Sequence, residues 1–333
     1  MTHLALRLSR YVNGVAMRHR EISQGMFPDY PIDSITNGVH ARTWTAAPFQ
    51  ELFDRRIPEW RRDNQYLRYA IDIPLEEILD AHVKTKAALF AEVQKRTGVK
   101  LDPTVITIGF ARRATPYKRA DLIFSDIKRL KAIAERSGKI QLIFGGKAHP
   151  RDEGGKMLIK QIYTAAAELR GVVQVVYLEN YEMDIAHLMT SGVDLWLNNP
   201  TKPLEASGTS GMKAALNGVP TFSVLDGWWV EGCIDGVTGW AIGRTRGGPD
   251  DEIADLYVKL ERVILPLFYG LPFSWANVMR NSIALNGSFF NTQRMVGQYV
   301  HNAYYPAADQ RPIPVAPAEN AREHVQTAWA GVR

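Results

Sequence analysis

A single cysteine, Cys233, is the first limit set by this 333-residue sequence. No disulfide can close within the chain, and a cysteine-rich zinc site is excluded. A reducing compartment fits that usage. The spacings of other metal sites are missing too. There is no HExxH, no EF-hand loop and no Walker A motif, and the Gly-x-Ser-x-Gly turn of serine hydrolases is also absent. No metal is therefore expected. No run approaches the roughly 20 apolar residues of a membrane helix; the longest, such as Val172–Leu178, has strand length. Charge of one sign is not in large excess, with 40 Lys and Arg against 35 Asp and Glu, a balance of +5. The cations are scattered and form no aromatic-interleaved stripe, so neither nucleic acid nor a membrane is the expected partner. Acid is absent from Met1 to Arg20, as in a transit peptide. That segment holds Asn13-Gly14 and runs straight into structured-looking sequence, so it is read as part of the fold. Apolar residues at 46% and charged residues at 23% rule out disorder as the main state. The length suits two domains or one large α/β unit.

From about Pro103 the chain alternates strand-like and helix-like segments. Val105–Phe110, Ile140–Phe144, Val172–Leu178, Val193–Leu197 and Pro220–Leu225 are short and β-rich, with little polarity. Such runs suit strands buried on both faces. Between them, Asp121–Glu135, Met157–Leu169, Ile185–Thr190 and Met212–Leu216 carry helical spacing. This rhythm predicts a parallel sheet covered by helices, with ligands at the carboxyl ends of its strands. The first 75 or so residues lack the rhythm and resemble part of another domain. They hold one helix-like stretch near Val12–Gln24, and Ile73-Pro74 is the candidate linker before a helical run over Leu75–Thr97. After about Pro249 the chain turns helical again. A Pro/Ala-rich tail follows from Pro306 and is expected to be extended.

Four loops at predicted strand ends could carry chemistry. Ala111–Arg119 packs four cations, Arg112, Arg113, Lys118 and Arg119, ahead of a helix. Forked guanidiniums and a lysine suit a dianion such as phosphate, and a solvated charge cluster is the plain alternative. Phe144–Pro150 holds Gly145-Gly146, which permits either close backbone approach to a ligand or a tight turn. His149 in that loop reads as a surface histidine beside a proline. Asn199–Lys213 is the most informative stretch. Its small residues free backbone N–H groups to point at an anion, and Glu205 could accept hydrogen bonds from sugar hydroxyls. Lys213 is expected in the first turn of the next helix, where the dipole disfavours a cation and lowers the lysine pKa. A neutral amine is the form that condenses with an aldehyde. A small-residue helix start with an exposed lysine explains the same residues. Asp226–Gly232 offers Trp228 and Trp229 beside carboxylates, equally suited to carbohydrate or to core packing.

Glu205–Lys213 followed by Ala214-Ala215-Leu216-Asn217-Gly218 resembles the cofactor-lysine motif of the α-glucan (glycogen, starch, maltodextrin) phosphorylases. Arg112-Arg113 through Tyr117-Lys118-Arg119 is similar to that family's phosphate loop. Val12–Ala16, Thr36–Val39 with Arg42 and Trp44, Gly146–Ala148, Asp226–Trp229 and Phe290–Met295 are similar to further segments. The likeness runs from about Leu4 to Tyr305 and favours the shorter bacterial-type branch. The resemblance implies a GT-B architecture: here one complete Rossmann-like domain over 75–305, the tail end of an N-terminal domain over 1–74, and a tail over 306–333. It implies pyridoxal 5′-phosphate on Lys213 and reversible phosphorolysis of α-1,4-glucan ends to α-D-glucose 1-phosphate in the cytoplasm. There the cofactor phosphate exchanges a proton with substrate phosphate, which explains why no glycosidase carboxylate pair stands out. It also implies that Arg113 and Lys118 hold inorganic phosphate. Arg112, Thr209 and Ser210 would lie near the cofactor phosphate, with Tyr181 beside the cofactor. Tyr117, Glu205, Ser207 and Gly208 would contact sugar.

Three departures stand out. Arg10 replaces a histidine that touches sugar in many members. Glu182 stands where animal-type members carry a basic residue. The chain also starts late for the family, so a separate N-terminal half or a second copy is an expected partner. The alternatives are a non-catalytic remnant needing that other half, and a nucleotide-sugar GT-B glucan synthase. The synthase would use Arg113, Lys118 and Glu205 but needs no cofactor lysine.

Overall fold

The structure, a computed structural model, describes residues 1–244 and 247–305, so the tail expected over 306–333 lies outside the described residues. The main sheet has strands β1 (Ile106–Ala111), β2 (Ile140–Gly145), β3 (Val173–Leu178), β4 (Leu195–Asn198), β5 (Thr221–Val224) and β6 (Gly239–Ile242). Their spatial order is β3-β2-β1-β4-β5-β6, and every neighbouring pair is parallel. All but the edge strand β3 are buried along their whole length. That follows from their unbroken apolar runs, which leave no face for water. β6 goes unseen in the sequence because Gly239-Trp240-Ala241-Ile242 is a four-residue strand with no β-branched run. It forms by pairing Thr221 with Gly239 through Val224 with Ile242.

Alternate residues feed two hydrophobic layers, as the period of two demands. Ile106, Ile108, Phe110, Leu142 and Phe144 join one; Ile143, Val176 and Trp196 join the other, against Leu89, Val93, Ile185 and Met189. Those last four lie on the helices Leu75–Thr97 and Met183–Gly192. The helix expected over Asp121–Glu135 divides into a 3₁₀ turn, Leu122–Phe124, and a helix, Ile127–Arg136. The divide falls at Asp126, whose carboxylate accepts the Arg129 N–H at 2.9 Å as an N-cap.

Residues 1–74 hold a two-residue parallel pair, Asn13–Gly14 with Asp33–Ser34, and the helices Met17–Met26 and Ala47–Arg56. The large hydrophobic layer includes Trp44, Phe49, Phe53, Trp60 and Leu67 alongside Phe222, Trp228 and Phe290. It therefore crosses the expected 74/75 boundary. Polar ties follow the same course. Arg294 donates to the Thr36 and Asn37 carbonyls at 2.6 and 3.0 Å, and Asn217 joins the Trp44 carbonyl and the Ala46 N–H, each at 2.7 Å.

Candidate active site

The strand order reverses direction between β1 and β4, the place where open α/β sheets bind ligands at strand carboxyl ends. The loops leaving those two strands are Arg112–Arg119 and Asn199–Thr209, and hydrogen bonds from backbone and side chains join them. Thr201 N–H reaches the Tyr117 carbonyl at 2.7 Å. Arg119, in the left-handed region at φ 47°, donates to the Asn199 and Pro200 carbonyls at 2.8 Å each and to Glu252 at 2.6 Å. Lys202 completes that buried pair at 3.0 Å from Glu252. Arg119 is thus a clamp rather than a free anion-binding cation.

Of the other three cations in the loop, Arg112, its side chain 9% exposed, and the buried Lys118 both donate to Glu205 Oε2. Arg113 is exposed and has no ion pair among the described residues. Burial works to raise the Glu205 carboxyl, but Arg112 and Lys118 outweigh it and hold it below the ordinary range. Lys118 Nζ also stands 4.4 Å from the Tyr117 ring centroid. Arg112 spans the loops, donating to Ser210 Oγ at 3.1 Å, while its buried Nε has no partner. Trp196 Nε1 reaches the same hydroxyl at 3.0 Å. The structure thereby brings Arg112, Lys118, Tyr117, Glu205 and Ser210 into one cluster.

The Glu205 loop is fixed from below. Its backbone N–H donates to Asp226 Oδ2 at 2.9 Å, and Asp226 is 2% exposed. Burial pushes that carboxyl up to about 6. Gly208 takes φ +75° and Gly227 φ +55°; a Cβ on Gly227 would stand 2.3 Å from the Ser207 carbonyl oxygen. That carbonyl also accepts the Trp228 N–H at 2.8 Å. Trp228 and Trp229 are buried, with ring centroids 5.1 Å apart and planes tilted by 60°, so this pair serves core packing and is no sugar platform.

Lys213 lies in the helix Ser210–Ala215, whose N-cap position is Thr209. The helix starts two residues earlier than its apolar pattern indicates, which places Lys213 in the last turn and not the first. The dipole argument therefore fails, because a cation is favoured at that end. The amine is nonetheless held below the ordinary lysine value, first by burial and then by the Arg112 guanidinium. Its Nζ sits 3.7 Å from the Trp44 ring centroid and has no carboxylate partner among the described residues. Trp44, in turn, stacks on His187 at 6.3 Å. Trp196 was visible in the sequence only as a member of an apolar run, and Trp44 and Asp226 only as members of family-like segments with no role attached; their placement needs the fold. Tyr181 is half-buried against Gly145, and burial pushes its phenol up to about 12. His149 is exposed and closes a turn by accepting the Arg151 N–H at 3.2 Å. Glu182 forms an exposed ion pair with Lys147 at 3.3 Å.

A family model described as carbohydrate phosphorylase matches residues 1–238. The chain belongs to that family. It is 40% identical to a glycogen phosphorylase of Aquifex aeolicus across 91% of the chain and 49% of that relative. It is 40% identical to a maltodextrin phosphorylase of Thermococcus litoralis, across 92% and 41% respectively. A glycogen phosphorylase of Mycobacterium tuberculosis matches at 37% identity across 92% and 40%. The chain thus spans about half the length, or less, of these relatives. Family membership sets aside the nucleotide-sugar alternative and agrees with the parallel α/β sheet expected of a phosphorylase domain.

The cluster fits pyridoxal 5′-phosphate on its own chemistry. A half-buried primary amine with a depressed pKa stands over an aromatic face. Beside it are a serine hydroxyl and a buried guanidinium with an unused N–H. These are a carbonyl-reactive group and a set of phosphate donors.

Proposed function

We propose that this chain carries the cofactor and phosphate groups of an α-glucan phosphorylase. The reaction is reversible transfer of a terminal α-1,4-linked glucosyl unit to inorganic phosphate, giving α-D-glucose 1-phosphate. The observation that carries the reading is the juxtaposition, at the β1/β4 crevice, of an unpaired depressed-pKa lysine with a buried Arg–Lys–Glu cluster. Lys213 would hold the carbonyl carbon of pyridoxal 5′-phosphate, and Arg112, Thr209 and Ser210 its phosphate. When bound, that phosphate supplies an acid–base group next to the substrate anion.

In this reading the chain's own residues bind and orient. Lys118, with Arg113 from the rim, neutralises inorganic phosphate and keeps it beside the cofactor anion, where like charges would otherwise repel. Tyr117, Glu205 and the Ser207-Gly208 backbone receive sugar hydroxyls. The buried Asp226 holds the Glu205 backbone in place. Trp44 and Tyr181 give apolar walls that keep water from the Lys213 amine. A separate N-terminal half, in the same polypeptide or another, or a second copy of the chain, supplies the opposite wall of the sugar site. A cytoplasmic setting accords with the lone cysteine.

The test adds pyridoxal 5′-phosphate to the purified chain, reduces with borohydride and maps the modified peptide. A pyridoxyl group is expected at Lys213 and absent from Lys213→Arg. Glucose 1-phosphate release from maltodextrin and phosphate is expected to require both the cofactor and Lys213. A folded chain that never takes up the cofactor at Lys213 overturns the reading.

A further inference from the structure

Both buried cations of the site, Arg112 and Lys118, donate to one oxygen of Glu205. The arrangement leaves donors unused. Arg112 Nε is buried without a partner, although the Arg112 side chain is only 9% exposed. The carboxylate oxygen meets only one N–H of the guanidinium fork beside the ammonium, whereas a phosphate offers several acceptor oxygens and a second charge. The carboxylate is anchored through its backbone, by Asp226 on Glu205 N–H, so its side chain can leave the cations without the loop moving.

Resting on the phosphorylase reading, we propose that Glu205 is a stand-in anion: its carboxylate occupies the Arg112–Lys118 pair until a phosphate dianion displaces it. Displacement releases Glu205 to accept a hydrogen bond from a sugar hydroxyl. Phosphate and glucan then favour each other's binding, because each needs Glu205 to have made the same move. No bond is made or broken in this exchange; one anion replaces another.

The sign of the test is unusual for a site residue. Glu205→Gln leaves two buried cations unpaired, so it should lower the melting temperature in chloride. It should also strengthen inorganic phosphate binding by roughly tenfold or more, the order that one charge contact in a partly dry site supplies. Thermal melts of wild type and Glu205→Gln, with phosphate titrated against chloride at constant ionic strength, read both effects. A larger phosphate-induced rise in the variant supports exchange. An equal or smaller rise shows that Glu205 merely holds the cations in place, and overturns it while the phosphate reading stands. No rise in either protein removes the phosphate site and the proposal together. Should Glu205→Gln not fold, Lys118→Met and Lys118→Met/Glu205→Gln carry the same comparison, with the double variant expected to respond more strongly. Repeating the titration on the cofactor-loaded chain assigns the displacing anion. A response that persists is that of substrate phosphate, and one already saturated is that of the cofactor phosphate.

Discussion

Asp226 shows how burial turns an ordinary residue into a pH-sensitive one. Its folded pKa, about 6, lies above the ordinary aspartate value of 3.8. The native state therefore binds more protons than the unfolded chain between those two values, and stability falls as pH rises through that window. The whole effect is at most about 3 kcal/mol. Asp226→Asn keeps an acceptor for the Glu205 N–H and removes the titration. Its denaturation midpoint is expected to show a flatter pH dependence between about 4 and 6 than wild type. Gly227 makes the complementary point. An alanine there meets both a positive φ and a backbone oxygen at 2.3 Å, and neither can yield cheaply. Gly227→Ala should cost about 1–3 kcal/mol, and cofactor uptake at Lys213 should weaken as the Ser207 segment shifts. Urea titration and the borohydride adduct yield measure the two.

Among the elements, the helix Leu75–Thr97 is bound to the sheet at the end away from the site. Lys86 Nζ lies 2.6 Å from Asp194 Oδ2 and 3.0 Å from the Val105 carbonyl, and His82 Nε2 is 2.9 Å from Asp194 Oδ1. Asp194 also accepts the Thr107 N–H at 2.7 Å. Removing one member leaves an unpaired charge in a dry place. Lys86→Met is expected to cost about 3–5 kcal/mol, and Lys86→Met with Asp194→Leu to cost less than either single change. A double-mutant cycle in urea checks this ordering. None of this was legible in the sequence, because Asp194 lies 112 residues from His82 and 108 from Lys86 in the chain. The runs of β1, β2, β4 and β5 were legible, since a parallel strand buried on both faces leaves an unbroken apolar signature; the edge strand β3, partly exposed, was legible through its valines. β6 left none. The lysine loop was visible through its small residues, yet the turn of helix holding Lys213 was misjudged. That helix starts at Ser210, two residues before its first apolar residue, Met212.

For the whole molecule, the cation cluster could not be read from spacing alone, because its members meet only where β1 and β4 become neighbours. Motif likeness pointed to them; the strand order explains why they converge. Asn217 joins the same site to the segment before Leu75, holding the Trp44 carbonyl at 2.7 Å and the Lys213 carbonyl at 3.0 Å. Asn217→Ala should destabilise by about 1–3 kcal/mol. Limited proteolysis should then cut faster within residues 41–74 than in the sheet.

The hydrophobic layer that runs from Val39 through Ile73 into the sheet bears on recombination. A gene fusion or chimera joined at Leu75 would strip Trp60, Phe53 and Leu67 from the surface they cover. A piece meant to carry this site into another protein would keep Val39–Ile73 with it, so the inheritable unit is larger than the nucleotide-type fold at its centre.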